Sequence, residues 1–400
     1  PRCILLTSLL DHAQAIQCAH RRFTILLQAA MLATWGFTAA ILLCGFGLNN
    51  AWDWPRNCAD DATAFDIAKG VDLTGKVAIV TGGDSGIGLG AAEAFAKQGA
   101  TLIIAGHSPA KSASVAHNLS LIFSADVRPL ALDLANFSSV REFAAQFYRQ
   151  VGGTLDFLIN DAGTPSANPD YLTMDGFEKL FQINYLGHFL LTELLLPALR
   201  KSGSARIVNV ASASHYKACS ALRMPWDCLK DWTLFPPPVL VDKGIKPRPT
   251  YYGLSKFAMI QHAAELAKRE ADNGIMAFAI MPGFVYSPQV ERGHKNITKV
   301  CEGMKDYQHV CPYTSEQGAA VIAYCAFHAS ISGALFDRVY TCAAVPGDSH
   351  GFTPSMRPEF YRRSLQWVGL AQPASNFKSA FEKAEKAMEI TEEPARLLTI

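Results

Sequence analysis

Residues 77–99 read VAIVTGGDSGIGLGAAEAFAKQG, and this stretch decides the fold. It opens on the apolar run VAIV, as expected of a strand buried on both faces. TGGDSGIG follows over residues 81–88, and LGAAEAFAKQG then reads as a helix stopped at Gly99. Strand, glycine loop and helix in that order form the opening of a dinucleotide-binding unit. Gly82, Gly86 and Gly88 allow a tight turn and a close backbone approach to a pyrophosphate, which the free N–H groups and dipole of the helix N-terminus attract. Thr81 and Ile87 belong to the same loop. Its spacing, T-G-x-x-x-G-x-G, departs from the commoner G-x-G-x-x-G, so the flanking strand and helix carry the weight of the reading.

Outward from this unit, short apolar runs at 102–105, 127–132, 157–159, 207–210 and 277–280 read as further strands, with amphipathic helical patterns between them. Such alternation predicts a Rossmann-like α/β domain: a doubly wound parallel sheet with helices on both faces, joined by right-handed crossovers. The expected organisation is an N-terminal arm (1–22), a transmembrane helix (23–48), a linker (49–70), the α/β domain (71–369) and a helical tail (370–400). Charged, alanine-rich sequence over 377–398 suits an amphipathic helix in that tail.

Tyr252 and Lys256 form Y-x-x-x-K inside YGLSKFAMIQHAAELAKRE, a helical pattern in which a spacing of four puts both side chains on one face. An ammonium beside a phenol favours the phenolate and lowers its pKa toward the range useful for acid–base catalysis. Read alone, such a pair is usually a surface contact. Its position after a fifth strand makes it a candidate for proton transfer.

With these segments in hand, the chain resembles the short-chain dehydrogenase/reductase family over about residues 72–369, with the family's motifs in order. Asp133 in LDL matches the aspartate that contacts adenine. NDAG at 160–163 matches N-N-A-G, with Asn160, Ala162 and Gly163 kept and Asp161 replacing the second asparagine. That exchange turns a donor into an acceptor and implies a local rearrangement of the turn. Ser212, Tyr252 and Lys256 match the catalytic set, and Asn184 matches the asparagine that holds the lysine-linked water of the proton relay. Pro282, Gly283 and Val285 match the turn facing the nicotinamide carboxamide, with Ser287 where threonine is commoner. The resemblance implies hydride transfer between a nicotinamide and a carbonyl or alcohol carbon, with Tyr252 moving the oxygen-bound proton, Lys256 also holding ribose hydroxyls and Ser212 binding the substrate oxygen. No acid follows the second strand to hold a ribose 2′-hydroxyl; His107 stands there with Lys111 nearby, which leans the cofactor toward NADP over NAD.

DLTGKVAIVTG, LGHFLLT, SASH and an insertion at 224–248 rich in tryptophan, proline and leucine resemble the retinol dehydrogenase and WW-domain oxidoreductase branch, although the chain shows no WW domain. Lipophilic substrates follow by analogy: a retinoid, a steroid or a lipid aldehyde or ketone, with protochlorophyllide a more distant candidate. The rival reading is an inactive, membrane-tethered dinucleotide-binding scaffold, suggested by Asp161 and His107. Filled positions at Asn184, Ser212, Tyr252 and Lys256 favour the enzyme.

Of 400 residues, 50% are hydrophobic and the net charge is only +1, which supplies a large core and gives no footprint for nucleic acid. Residues 23–48 carry no charge and exceed the roughly 20 residues that cross a bilayer. Arg21 and Arg22 precede this run and acidic residues follow it, so the positive-inside rule puts the catalytic domain on the lumenal side, for example of the endoplasmic reticulum. Sequons at Asn118, Asn136 and Asn296 would then be open to glycosylation. Ten cysteines occur without a C-x-x-C pair, which gives no zinc or dithiol motif; most are expected as buried thiols, with a Cys301–Cys311 disulfide as an option in an oxidising compartment. A homodimer is the expected assembly, if any.

Overall fold

The computed structural model describes residues 57–165, 172–218, 248–287, 311–339, 341–345 and 353–371. The apolar run 23–48, the insertion 224–247, Asn296, Cys301 and the tail from 372 lie outside them. Among the described residues eight strands form one sheet: β1 (Val77–Thr81), β2 (Thr101–Gly106), β3 (Val127–Ala131), β4 (Phe157–Asn160), β5 (Arg206–Val210), β6 (Met276–Met281), β7 (Leu335–Asp337) and β8 (Ala343–Val345), in the order β3-β2-β1-β4-β5-β6-β7-β8. All neighbouring pairs are parallel except β7 with β8. The chain reverses its winding between β1 and β4, where open α/β sheets leave a crevice at the carboxyl ends of the strands.

Apart from the single turn Lys179–Phe181, the described α-helices are α1 (Ala64–Ala68), α2 (Gly86–Lys97), α3 (Pro109–Phe123), α4 (Phe137–Gln150), α5 (Gly187–Ser202), α6 (Arg248–Arg269), α7 (Ser315–Phe327) and α8 (Arg357–Trp367). They cover both faces, and the strands alternate to suit. Ile79, Leu158 and Ile207 enter the core shared with α4, α5, α6 and α8, whereas Ala78, Val80, Ile159, Val208 and Phe278 enter the one shared with α1, α2, α3 and α7. Burial on both faces is why the strands read as continuous apolar runs.

Residues 57–70, expected as linker, are packed against the domain instead. Thr63 and Asp66 form a capping box that starts α1. Buried Arg338 donates from Nη2 to the carbonyls of Asp60 (2.7 Å) and Ala62 (3.1 Å) and from Nε to that of Gln317 (2.9 Å). Cys58 is disulfide-bonded to Cys342 across a sequence separation of 284. These two cysteines correct the expectation of inert thiols; buried Cys325 fits it, and Cys311 is disulfide-bonded to a partner outside the described residues. Asn118 is exposed on α3, and Asn136 caps α4 by accepting from the Ser138 and Ser139 amides. Among the described residues no helix is long and apolar enough to cross a membrane.

Candidate active site

β1, β4, β5 and β6 end along one edge of the sheet, and every position with proton-transfer or glycine-loop character gathers there. Thr81, the last residue of β1, is wholly buried. Its hydroxyl oxygen accepts the amide protons of Asp161 (2.9 Å) and Ala162 (3.0 Å) and lies 2.9 Å from His188 Nε2. His188 Nδ1 meets the Asn184 carbonyl at 3.2 Å. A carbonyl can only accept, so Nδ1 carries the proton and Nε2 accepts from Thr81. Burial drives the His188 pKa down to about 3, which keeps the ring neutral as this arrangement needs. Thr81 is therefore a brace between loop and turn, where a cofactor contact was expected.

The glycine loop and the NDAG turn meet backbone to backbone. A Cβ added at Gly82 would lie 3.1 Å from Ala162 Cα, and one at Gly88 would lie 2.5 Å from the Gly82 carbonyl oxygen and 2.7 Å from Asp161 Oδ2. Gly82 and Gly86 hold φ of 69° and 55°, in the left-handed region. Ser85, at the N-cap of α2, makes no side-chain capping bond. The loop is thus a cradle with N–H groups of a helix N-terminus at its floor, which fits a dinucleotide pyrophosphate. Ile87 is partly exposed and packs against the core shared with α1, α2, α3 and α7, so it is not turned wholly to a ligand. Ser287 reaches the cradle from the segment after β6, its Cβ lying 3.6 Å from a Cβ added at Gly86. In the same segment Pro282 is buried, Gly283 holds φ of 79° and Val285 is buried against Gly318.

The remaining positions divide. His107 is exposed beyond β2, while Lys111 is spent on Asp84 (3.4 Å) and is not a free cation there. Asp133 is exposed, and its Oδ1 accepts the Ala135 amide proton at 2.9 Å. Asn160 departs from expectation: it is 0% exposed, with its amide donating to Thr192 and Asn209 beneath the sheet edge, so it offers no surface to a ligand. Ala162 is partly exposed and Gly163 is exposed.

Ser212 follows β5 and accepts the Ser214 amide proton at 3.1 Å, which leaves its own hydroxyl proton for another acceptor. Tyr252 and Lys256 lie on α6; the Ser212 side chain is near enough to the Tyr252 phenol to favour its ionised form, and Lys256 Nζ is 5.8 Å from the tyrosine ring centroid. Lys256 is buried and donates to the Val210 carbonyl at 2.8 Å. Asn184 occupies a π-helical segment, Gln182–Leu186, that leads into α5. Its Oδ1 accepts the Thr164 amide proton (2.8 Å), while Nδ2 donates to the Thr164 carbonyl (3.0 Å) and to Ser255 Oγ (3.1 Å). A Cβ at Gly163 would touch both Asn184 Oδ1 (3.0 Å) and Lys256 Nζ (3.5 Å), so these two flank the turn.

Electrostatically the site corrects one expectation. Burial pushes the Tyr252 phenol above its usual value, with the Asp161 charge adding to the rise and the Ser212 side chain opposing it. The ammonium was expected to do the reverse. Its effect is blunted because Lys256 is directed at a carbonyl and burial pulls its own pKa down, an effect that Asp161 opposes. Asp161 is pushed up by burial, against the opposing pull of Lys256 and of the Gly88 amide. His188, Ser255 and the environment of Asp161 are the parts that motif reading missed. LGHFLLT and YGLSK contained the first two, and nothing in spacing alone marks them as buried partners.

The family model for short chain dehydrogenase matches residues 76–221. A WW domain-containing oxidoreductase of Danio rerio is 33% identical over 303 residues, covering 73% of this chain and 69% of that protein. Retinol dehydrogenase 11 of Mus musculus is 33% identical over 270 residues, covering 66% of this chain and 78% of that protein. Against the chicken and human WW domain-containing oxidoreductases, each 63% covered, the chain spans less than two thirds of the relative's length. Among solved structures, a protein from Mycobacterium Paratuberculosis superposes with a TM-score of 0.56 at 26% identity, over 77% of this chain and 98% of that one. The Pseudomonas aeruginosa RhlG/NADP active-site complex gives a TM-score of 0.51 at 26% identity, over 66% of this chain and 95% of that one.

Proposed function

The chain belongs to the short chain dehydrogenase family, and on that footing we propose that it is an NAD(P)-dependent oxidoreductase that interconverts a carbonyl and an alcohol on a lipophilic substrate. One observation carries the reading: the Ser212 side chain stands close enough to the Tyr252 phenol to favour its ionised form at the carboxyl edge of β5, with Lys256 one helical turn beyond Tyr252 and the glycine cradle at the same edge. A bound nicotinamide dinucleotide supplies or accepts the hydride. In reduction, Tyr252 gives its phenolic proton to the carbonyl oxygen as the carbon gains hydride, and Ser212 donates a hydrogen bond to that oxygen. In oxidation, the Tyr252 phenolate takes the hydroxyl proton back. Lys256 and Asn184, packed on Gly163, hold the local geometry and the route for proton exchange.

For the cofactor, the loop Gly82–Gly88 with Ala162 and Gly163 of the following turn would hold the pyrophosphate and nicotinamide ribose, and the absence of an acid after β2 favours NADP. RhlG was solved with NADP, which supports that preference. For the substrate, the named retinol dehydrogenases among the relatives support a retinoid or similar lipid carbonyl. Residues 23–48 would tether the enzyme to a membrane, and the Cys58–Cys342 disulfide supports a domain facing an oxidising lumen.

The test is NADPH and NADH oxidation with retinal, steroid ketones and medium-chain aldehydes, with Tyr252→Phe alongside. Turnover lowered at least about a thousandfold in the variant is expected. Turnover unaffected by Tyr252→Phe would sink the assignment, and nucleotide binding without turnover across the whole panel would favour the scaffold.

A further inference from the structure

Asp161 stands where the family motif has asparagine, and its surroundings give that exchange a consequence. Its Oδ2 lies at the glycine loop, 2.7 Å from a Cβ added at Gly88, where the Gly88 amide favours its charged form. Gly88 is the third residue of α2, so this amide is one of the free donors that a helix N-terminus offers to an anion. Ser85 leaves the N-cap bond unmade, and a charged group arriving from β4 lies beside the same terminus. The other loop carboxylate, Asp84, is turned onto Lys111 (3.4 Å) and Ser112 (3.1 Å). Among the described residues Asp161 has no such salt bridge.

We propose that Asp161 is a positioning residue that makes dinucleotide binding proton-linked: the carboxylate competes with the pyrophosphate for the α2 N-terminus, and the cofactor binds with Asp161 protonated. A carboxylate and a pyrophosphate at one helix terminus repel each other, whereas a neutral carboxylic acid, like the asparagine of the family motif, does not. Binding then takes up one proton from solvent onto Asp161, and no other bond is made or broken. The groups facing the carboxyl are Lys256 and Tyr252 from α6 and the Gly88 amide from α2; His188 from α5 is held neutral against Thr81. Lys256 opposes protonation by attraction, but it is itself drawn toward neutrality by burial. Burial of Asp161 acts in the direction the proposal requires, raising its affinity for a proton before any cofactor arrives.

The proposal rests on the dinucleotide reading above, and its test separates the two. Isothermal titration of the full chain with NADH, which lacks a 2′-phosphate and its own titration, is run in two buffers of different ionisation enthalpy at about pH 6 and about pH 8. Proton uptake approaching one per site at about pH 8 is expected, along with an affinity that falls several-fold to about tenfold from the lower pH to the higher. Asp161→Asn should abolish the uptake, flatten the pH dependence and bind NADH about tenfold more tightly than the native chain at about pH 8. The proton count on the native chain needs no variant, so a misfolded Asp161→Asn would leave the proposal exposed to test. Binding without proton uptake, or with the same uptake in Asp161→Asn, would overturn this inference and leave the oxidoreductase reading standing. Absence of binding by NADH and NADPH in any buffer would overturn both.

Discussion

Glu193 shows how one buried side chain sets a pH dependence. It lies on α5, 7% exposed, and accepts the Tyr361 hydroxyl proton at 2.5 Å. Burial pushes its pKa from 4.5 up to about 7, against the opposing pull of that bond and of Arg269 and Arg200. A carboxyl that holds its proton more tightly folded than unfolded costs nothing below the unfolded value; the cost grows as pH rises from 4.5 and is complete above about 7. Glu193→Gln keeps an acceptor for Tyr361 and removes the charge. Urea unfolding should find the variant more stable by roughly 2–3 kcal/mol at about pH 8 and within about 0.5 kcal/mol at about pH 4.5. An equal difference at both pH values would mean that the carboxyl does not titrate across this window. Tyr252 obeys the same physics at the functional site, where burial outweighs the opposing effect of Ser212 and raises the phenol's hold on its proton. That favours its role as donor in carbonyl reduction.

At the scale of elements, the junction between β1 and α2 has space only for glycine. A Cβ at Gly88 would meet the Gly82 carbonyl oxygen at 2.5 Å, and neither backbone can yield without moving the cradle. Gly88→Ala is expected to weaken NADPH binding at least about tenfold and to cost roughly 1–3 kcal/mol of stability. Fluorescence titration and thermal unfolding read the two effects. Gly153→Ala meets only the side-chain end of Lys201, at 3.4 Å, and should leave binding unchanged. Full NADPH affinity in Gly88→Ala would mean that the loop can open without loss. The entrance to α5 is equally constrained, since a Cβ at Gly187 would lie 2.7 Å from the Leu134 carbonyl oxygen, and this close approach sets the π segment that carries Asn184 against the turn at 160–163.

Across the whole molecule, residues 57–63 are bound to the far end of the sheet by Arg338 and by Cys58–Cys342. Closing a loop of that length removes unfolded-state entropy, so Cys342→Ser, or reduction of the native chain, should lower stability by roughly 2–5 kcal/mol. A melting temperature unchanged in both would show that the bond contributes nothing to the folded state. Period and punctuation along the chain determined the first six strands and the glycine loop, because burial on both faces demands unbroken apolar runs and a phosphate cradle demands glycine. The order of motifs likewise brought Ser212, Tyr252, Lys256 and Asn184 to notice, since each stands at the end of a strand or on a helix that follows one. β7 and β8 are three residues each, too short to carry a periodic signal. Tertiary structure alone decided that Cys58 meets Cys342, that Asn160 faces inward while Asp161 faces the loop, and that burial raises rather than lowers the pKa of the Tyr252 phenol. Each of those depends on distances between residues far apart in sequence and on how much water reaches them, and neither quantity is encoded in local spacing.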